Sequence, residues 1–145
     1  MPHAVILSHR EVADDIGLIG RWLDESDWTF ERIWREDSPD WPDADLFIAL
    51  GSLASVATGH CTPSTEREIA RIREWVDQDR PYLGVCFGAQ ALAVALGGTV
   101  ERMPTFFRGV TDAQWAGGTR RGPWVAWHED AIRSVGSGDV LGQAD

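Results

Sequence analysis

A cysteine between two glycines makes Gly84–Gln90 the stretch of the chain that is most informative about chemistry. Cys86 has one glycine two residues before it and another two residues after it. The apolar run 81–86 predicts a strand that ends at Cys86, and the alanine-rich stretch that follows predicts a helix. In the pattern glycine-x-nucleophile-x-glycine, the small residues let the chain turn sharply and lift the central side chain out of the sheet. The sequence therefore predicts Cys86 as a nucleophile at a strand-to-helix turn.

Such a turn would favour the chemistry of Cys86 in two ways. The partial positive charge of a helix N-terminus favours the thiolate form of a thiol, and the backbone N–H of Phe87 is placed to stabilise an oxyanion. At the carboxyl end of a parallel strand, the sulfur would also lie where open α/β sheets bind ligands. The other cysteine, Cys61, falls in an ordinary loop sequence, and we expect it to be a bystander. A cysteine that merely packed a strand end would not require glycine on both sides.

Strands and helices alternate in the predicted elements around Cys86. Apolar runs predict strands over 4–8, 28–34, 46–50, 81–86 and 99–103. Periodic apolar positions predict helices over 12–23, from Thr62 to residue 79 or 80, and over 89–96. This order favours an α/β fold with helices on both faces of a mostly parallel sheet. After Pro104 the pattern weakens, and we expect loops at 117–118 and 120–123 and a last strand over 124–127.

Composition narrows the class of protein. With 145 residues and no linker or repeat, the chain is expected to form a single domain over 1–145. The formal net charge of −10 argues against nucleic acid as a partner. No apolar run approaches the ~20 residues of a membrane span, and no basic segment precedes the first strand, so we expect no membrane association and a cytoplasmic location. The two cysteines have no metal-like spacing, and we expect no metal and no cofactor.

The residues around Cys86 resemble a known family. The segment Pro81–Gly98 is similar to the nucleophile segment of class I glutamine amidotransferases, and most of all to the stand-alone branch that is similar to the amidotransferase domain of GMP synthase. Val5–Leu23 resembles the first strand and helix of that branch, Asp45–Gly51 its strand into the oxyanion loop, and Trp127–Asp130 its His-x-Asp segment. The resemblance covers most of the chain and implies a flavodoxin-like three-layer sandwich.

Glutamine hydrolysis is the activity that the resemblance implies. Cys86 would attack the side-chain amide of glutamine, a thioester would form, and ammonia would pass to a partner synthetase. Gly51 or Ser52 would form the oxyanion hole together with the Phe87 amide. Gln90 would help to position the substrate, and no cofactor would take part.

The chain departs from the family pattern in three places. Gly51-Ser52-Leu53 stands where the family usually has Gly-Gly-Pro, and serine presents its N–H with less conformational freedom than glycine. In the family, a substrate-clamping segment follows the nucleophile helix, but no such segment is recognisable in residues 105–122 of this chain. No His-Pro-Glu segment, which supplies the family's catalytic base, occurs in the sequence. We therefore interpret the chain as shortened at its C-terminus relative to the family, which would uncover apolar surface and favour a homodimer.

A cysteine nucleophile ordinarily needs a base and an orienting acid, and the histidines of the chain offer several candidates. His128, at the end of the predicted last strand, is the first candidate, with Asp130 better placed than Glu129 to orient its ring because neighbouring side chains on a strand point in opposite directions. His60 would fold over the site from the loop beside Cys61. His9 would lie near the same sheet edge by topology.

Three functions remain open from the sequence. The first is a working glutaminase whose base is His128, His60 or a group from another protomer. The second is a repurposed Cys86-dependent enzyme on the same scaffold that acts on a different small amide or carbonyl compound. It is favoured by the altered Gly51 loop and by tryptophans in polar surroundings that could wall a pocket, namely Trp34, Trp41, Trp115, Trp124 and Trp127. The third is a non-catalytic binding domain, against which the retained Gly84–Gln90 pattern argues.

Overall fold

Two separate sheets make up the fold in the computed structural model, which describes residues 1–12, 14–60 and 63–144. The first sheet contains four parallel strands in the order β2-β1-β3-β4, and the second contains three antiparallel strands in the order β6-β5-β7. The elements in chain order are β1 (His3–Ser8), α1 (Gly17–Glu25), β2 (Thr29–Trp34), a short 3-10 turn (Arg35–Asp37), β3 (Leu46–Ala49), α2 (Ser64–Asp77), β4 (Tyr82–Gly84), α3 (Phe87–Ala95), β5 (Thr99–Trp115), β6 (Arg120–Ser134) and β7 (Gly142–Ala144).

Alternating apolar side chains bury both faces of the parallel sheet. Successive residues of a strand point to opposite faces, so Ala4 and Ile6 pack with Leu23 of α1 on one side. Val5 and Leu7, from the same strand β1, pack on the other side with Trp75 of α2 and its neighbours. The predicted α/β architecture, with helices on both faces of a parallel sheet, is therefore confirmed.

Helix α3 packs against α2 through small side chains. Ala91 and Ala95 lie with Phe87 and Ile72 in one buried cluster, and the short alanine side chains let the two helices approach closely. Tyr82 of β4 packs against the same cluster, which holds the start of α3, and with it Cys86, beside the parallel sheet. The α2 helix begins at Ser64; its predicted cap, Thr62, and the expected bystander, Cys61, lie outside the described residues.

The second half of the chain departs from the sequence-based expectation. The strand predicted over 99–103 continues through Pro104 to Trp115 and pairs with β6 and β7 in the antiparallel sheet, not with the parallel one. Residues 120–123, expected to be a loop, and 124–127, expected to be a separate last strand, are both part of β6. The glycines at 117–118 do form the turn between β5 and β6, with φ values of 88° and 83°.

Exposure explains why the pattern of this hairpin was not recognisable. Most of β5 and β6 is exposed on both faces, so neither strand shows the alternation of apolar and polar residues that one buried face imposes. Pro104 falls within an irregularity of the pairing between Arg102 and Phe107, where a strand tolerates a residue without an N–H.

None of the helices formed by the described residues is long and apolar enough to cross a bilayer.

Candidate active site

Cys86 occupies a sharp turn between β4 and α3, as the sequence predicts. Its backbone has φ 55° and ψ −114°, and it directly precedes the first residue of α3. A positive φ is uncommon for a residue with a side chain and marks stored backbone strain, which proteins concentrate at functional sites. The Cys86 side chain is exposed. The turn therefore presents the thiol to solvent at the carboxyl edge of the parallel sheet.

The two glycines that flank Cys86 are required by close backbone packing. A Cβ atom on Gly84 would lie 2.5 Å from the carbonyl carbon and oxygen of Gly88. A Cβ atom on Gly88 would lie 2.2 Å from the carbonyl oxygen of Ala49 in β3. Both distances are far below van der Waals contact, so only glycine permits β3, β4 and the start of α3 to meet here. The glycine pattern around Cys86 thus has a direct structural cause.

Gly51 follows strand β3 and lies directly beside Cys86. A Cβ atom on Gly51 would be 3.7 Å from Cβ and 3.8 Å from Sγ of Cys86. The Val85 N–H donates a 2.9 Å hydrogen bond to the carbonyl oxygen of Ala49, which aligns the two strand ends. Phe87 begins α3, where the first backbone N–H groups of a helix have no partner within the helix. The structure therefore brings Cys86, the Gly51 loop and the Phe87 amide to one edge of the sheet.

The Arg35 side chain holds the Gly51 loop in place by hydrogen bonds, a role that the sequence did not indicate. Its guanidinium donates to the carbonyl oxygens of Leu50 and Gly51, at 3.3 Å each. The same group forms a bidentate ion pair with Glu68 of α2, with nitrogen–oxygen distances of 2.7 and 2.9 Å. It also lies 4.9 Å from the centre of the Phe87 ring. In the sequence Arg35 opens an acidic, proline-containing segment that is typical of an exposed loop, so no local signal marked it as buried.

Ser52 is held by its side chain as well as by its backbone. Its Oγ accepts the N–H of Ala54 at 3.0 Å and lies 2.9 Å from Nδ1 of His9, which follows β1. Nε2 of His9 is 3.7 Å from a carboxylate oxygen of Glu36. With Nε2 protonated towards that carboxylate, Nδ1 of His9 accepts a hydrogen bond from the Ser52 hydroxyl. The serine that replaces a family glycine is therefore tied to a neighbouring strand end.

The Glu36 carboxylate is stabilised in its charged form. Desolvation by itself would raise its pKa, but backbone hydrogen bonds from Glu36 and Arg10, together with the charges of His9 and Arg10, lower the pKa overall. The N–H of Arg10 donates to this carboxylate at 2.7 Å. The side of His9 that faces away from Ser52 therefore lies next to a negative charge.

His128 and Asp130 lie together on β6, but not in the way the sequence suggested. Nδ1 of His128 is 3.1 Å from the main-chain carbonyl oxygen of Asp130, not from its carboxylate. The buried carboxylate instead accepts the Ser55 hydroxyl at 2.5 Å and pairs with Nε of Arg102 at 2.7 Å. The ring orientation expected from the Asp130 side chain is thus supplied by its backbone, because the side chain is already engaged by the Ser55 loop and by β5.

Gln90 and His60 also make contacts that the sequence did not suggest. The Gln90 side chain is buried, and its Nε2 donates to the main-chain carbonyl oxygen of Asp130 at 3.1 Å, so it attaches α3 to the hairpin. His60 is exposed, and its carbonyl oxygen accepts the N–H of Ser55 at 3.3 Å. The contacts place Gln90 beside the carbonyl that also meets His128, and they leave the His60 ring at the surface.

Comparison with known proteins relates these features to a known family. Residues 51–122, which include the Gly51 loop and the Cys86 turn, match the family model of glutamine amidotransferase class-I. A comparison with curated proteins found no match.

Three solved structures resemble the chain in fold. One is a glutamine amidotransferase from Thermotoga maritima, with 21% identity over 92% of this chain and 63% of that one and a TM-score of 0.78. Another is a glutamine amidotransferase from Methylobacillus flagellatus, with 23% identity over 92% of this chain and 57% of that one and a TM-score of 0.69. A third, from Thermoplasma acidophilum, is described as a putative GMP synthase subunit, with 17% identity over 94% of this chain and 69% of that one and a TM-score of 0.64.

The chain spans 57–69% of the length of these three structures. The matched sequence segment covers the Cys86 turn and the Gly51 loop, and the matched folds cover nearly the whole of this chain. In the sequence around its candidate site and in its α/β fold, the chain is therefore similar to class I glutamine amidotransferases.

Proposed function

We infer that the chain hydrolyses an amide through Cys86, with the side-chain amide of glutamine as the first candidate substrate. The observation that carries this inference is the exposed Cys86 thiol on a strained positive-φ turn, 3.8 Å from the Cβ position of Gly51. A backbone under strain persists where the surroundings over-determine it, and the packed glycines on both sides of Cys86 do so here. A side chain that merely filled space would not need that conformation.

The reaction balances with groups that the chain itself contains. The Cys86 thiolate adds to the amide carbon, so that a carbon–sulfur bond forms and the carbonyl electrons move to oxygen. The oxyanion is stabilised by backbone N–H groups of the Gly51 loop and of Phe87. Collapse breaks the carbon–nitrogen bond, and ammonia leaves with the proton that an imidazole took from the thiol. Water then attacks the thioester, the carboxylic acid leaves, and the thiol is restored.

His128 is the imidazole that we propose as the base. Its Nδ1 meets a carbonyl oxygen, which can only accept a hydrogen bond, so Nδ1 carries the proton and Nε2 is the basic nitrogen. Among the described residues, no hydrogen bond occupies that Nε2. The basic nitrogen of His9 is instead engaged by Ser52. We therefore assign His128 to proton transfer, with Asp130 acting through its carbonyl.

Ammonia release from glutamine tests this function. The parent protein is expected to release ammonia and glutamate in equal amounts, and Cys86→Ala is expected to release none while it retains its fold. Selective labelling by a small electrophile near neutral pH, mapped by mass spectrometry, is expected at Cys86 and not at Cys61. Full turnover by Cys86→Ala would overturn the proposal, as would labelling of Cys61 in preference to Cys86.

A substrate other than glutamine is the second candidate. It is favoured by the Ser52 side chain, which occupies the Gly51 loop and is tied to His9, and by Gln90, whose amide is bound to β6. A parent protein that releases no ammonia from glutamine but keeps a readily labelled Cys86 would select this alternative. A synthetase partner that accepts ammonia belongs to the glutamine alternative, and the likeness in fold to the putative GMP synthase subunit supports it.

A further inference from the structure

A buried ion pair lies beneath the loop that faces Cys86. The side chains of Arg35 and Glu68 are 8% and 6% exposed, and two nitrogen–oxygen contacts of 2.7 and 2.9 Å join them. A buried pair of charges contributes little net stability compared with apolar residues of the same size. Its presence at this point therefore calls for a reason other than stability.

The remaining contacts of Arg35 fix the orientation of two peptide groups. It donates to the carbonyl oxygens of Leu50 and Gly51, which belong to the peptide groups Leu50–Gly51 and Gly51–Ser52. In a trans peptide group, the carbonyl and the N–H of the next residue point in opposite directions. The N–H groups of Gly51 and Ser52 consequently point away from Arg35. The Cβ position of Gly51 lies 3.8 Å from the Cys86 sulfur.

We propose that Arg35 is a positioning residue, which holds the Gly51 and Ser52 amides in the orientation that stabilises an oxyanion formed at Cys86. The guanidinium also lies against the ring of Phe87, the residue that supplies the other oxyanion-binding N–H. The Arg35 side chain thus contacts both the Gly51 loop and Phe87, the two segments that form the proposed oxyanion site. This proposal rests on the thiol chemistry of Cys86 given above and extends it to the residue that maintains the loop geometry.

Glu68 completes this arrangement by holding the guanidinium in one plane. Its two carboxylate oxygens bind Nε and Nη2 of Arg35, which leaves Nη1 and the second proton of Nη2 for the carbonyls. A lysine at position 35 has a single ammonium group and cannot make both sets of contacts in a fixed geometry. The pair is therefore specific for arginine.

A comparison of two reactions of the Cys86 thiol separates positioning from a merely structural role. Acylation by p-nitrophenyl acetate passes through an oxyanion, whereas alkylation by iodoacetamide does not. The ratio of the two rates therefore reports the oxyanion site and requires no knowledge of the natural substrate. Both rates are corrected for the background that Cys86→Ala shows.

The variants are chosen so that no charge is left buried alone. Arg35→Met with Glu68→Met removes the pair and replaces it with apolar side chains of similar length, and Arg35→Lys keeps the charge but not the geometry. The matched control is Arg133→Met with Glu101→Met, which removes an exposed arginine–glutamate pair from the hairpin. Circular dichroism and thermal unfolding establish that each variant is folded.

The expected result is a fall of about tenfold or more in the acylation rate of the double variant Arg35→Met, Glu68→Met, with the alkylation rate unchanged. Loss of oxyanion stabilisation acts on acylation alone. Arg35→Lys is expected to fall between parent and double variant, and the hairpin control to match the parent. A folded double variant with the parent's ratio of rates would overturn the proposal, as would equal losses in both rates. Failure of the parent to hydrolyse glutamine would contradict the proposed substrate but would leave this ratio, and the proposal, intact.

Discussion

Gly51 faces Cys86 across the gap between two strand ends, and a methyl group on Gly51 would lie 3.8 Å from the thiol sulfur. That distance is an ordinary van der Waals contact, so the fold has room for the methyl group. The space that it would fill is the space beside the sulfur, where the attacked carbonyl group lies in the proposed mechanism. Fold and chemistry therefore impose different demands on this one position.

Gly51→Ala is expected to leave stability nearly unchanged and to slow reactions at Cys86. Gly51 does not have a positive φ, and the added methyl group meets nothing closer than 3.7 Å. A thermal unfolding curve together with acylation kinetics checks both parts of this expectation. A variant that reacts as fast as the parent would show that substrates approach Cys86 from another side.

Gly88→Ala is expected to destabilise the fold itself. The new Cβ would lie 2.2 Å from the carbonyl oxygen of Ala49, and forced overpacking of this kind typically costs about 1–3 kcal/mol or more. The matched control is Gly109→Ala in β5, where the nearest atom, on the Phe107 ring, is 3.5 Å away. Chemical denaturation should show a lower midpoint for Gly88→Ala and little change for the control. Equal midpoints would mean that the Cys86 turn does not need glycine after it.

Tyr82 provides a test at alkaline pH because it is the single tyrosine of the chain. Desolvation and the nearby Glu68 raise the pKa of its phenol above the ordinary value of 10.0, and its hydroxyl donates to the carbonyl oxygen of Gly88 at 3.2 Å. Because the pKa of the folded state exceeds that of the unfolded state, this contribution to stability is complete below pH 10 and is lost as the pH rises further.

Ultraviolet titration is therefore expected to show the tyrosine ionising together with unfolding, at a pH above that of free tyrosine. Tyr82→Phe is expected to lose the coupling between alkaline pH and stability that this phenol produces. Ionisation of Tyr82 near pH 10 in a protein that remains folded would contradict the burial of its hydroxyl.

His128→Gln is expected to reduce turnover by about 10²–10⁴-fold, the usual contribution of general acid–base catalysis. His9→Gln is expected to have a smaller effect, because His9 acts on the Ser52 side chain and its basic nitrogen is already occupied. His60→Gln should resemble the parent, because its ring is exposed. The measurement is ammonia release from glutamine, or thioester hydrolysis if glutamine is not the substrate. A larger loss of turnover in His9→Gln than in His128→Gln would indicate that the catalytic base is His9, at the end of β1.

The Cys86 turn could be predicted from sequence because its signal is local. Two glycines at fixed offsets, an apolar strand before them and helix-forming residues after them lie within a few residues of Cys86, and all these features depend on neighbours in the chain. The parallel sheet could be predicted for a similar reason, since strands buried on both faces are continuous apolar runs.

Contacts between distant residues could not be predicted in the same way. The bond from His9 to Ser52 joins positions 43 residues apart, and the bonds from Arg35 to Leu50 and Gly51 depend on which strands are neighbours. Residue spacing does not specify that order. The hairpin of β5 and β6 could not be predicted for another reason. Because it is exposed on both faces, its sequence has no periodic pattern of apolar residues.

The backbone of Cys86 has a consequence for how such a sequence is selected. Glycine adopts φ 55° without steric penalty, whereas a residue with a side chain pays of order 1–3 kcal/mol in such a conformation. Selection for thermal stability alone would therefore favour glycine over cysteine at position 86. Cysteine at this position therefore lowers stability relative to glycine, as is expected where a protein gives up stability for the activity of a side chain.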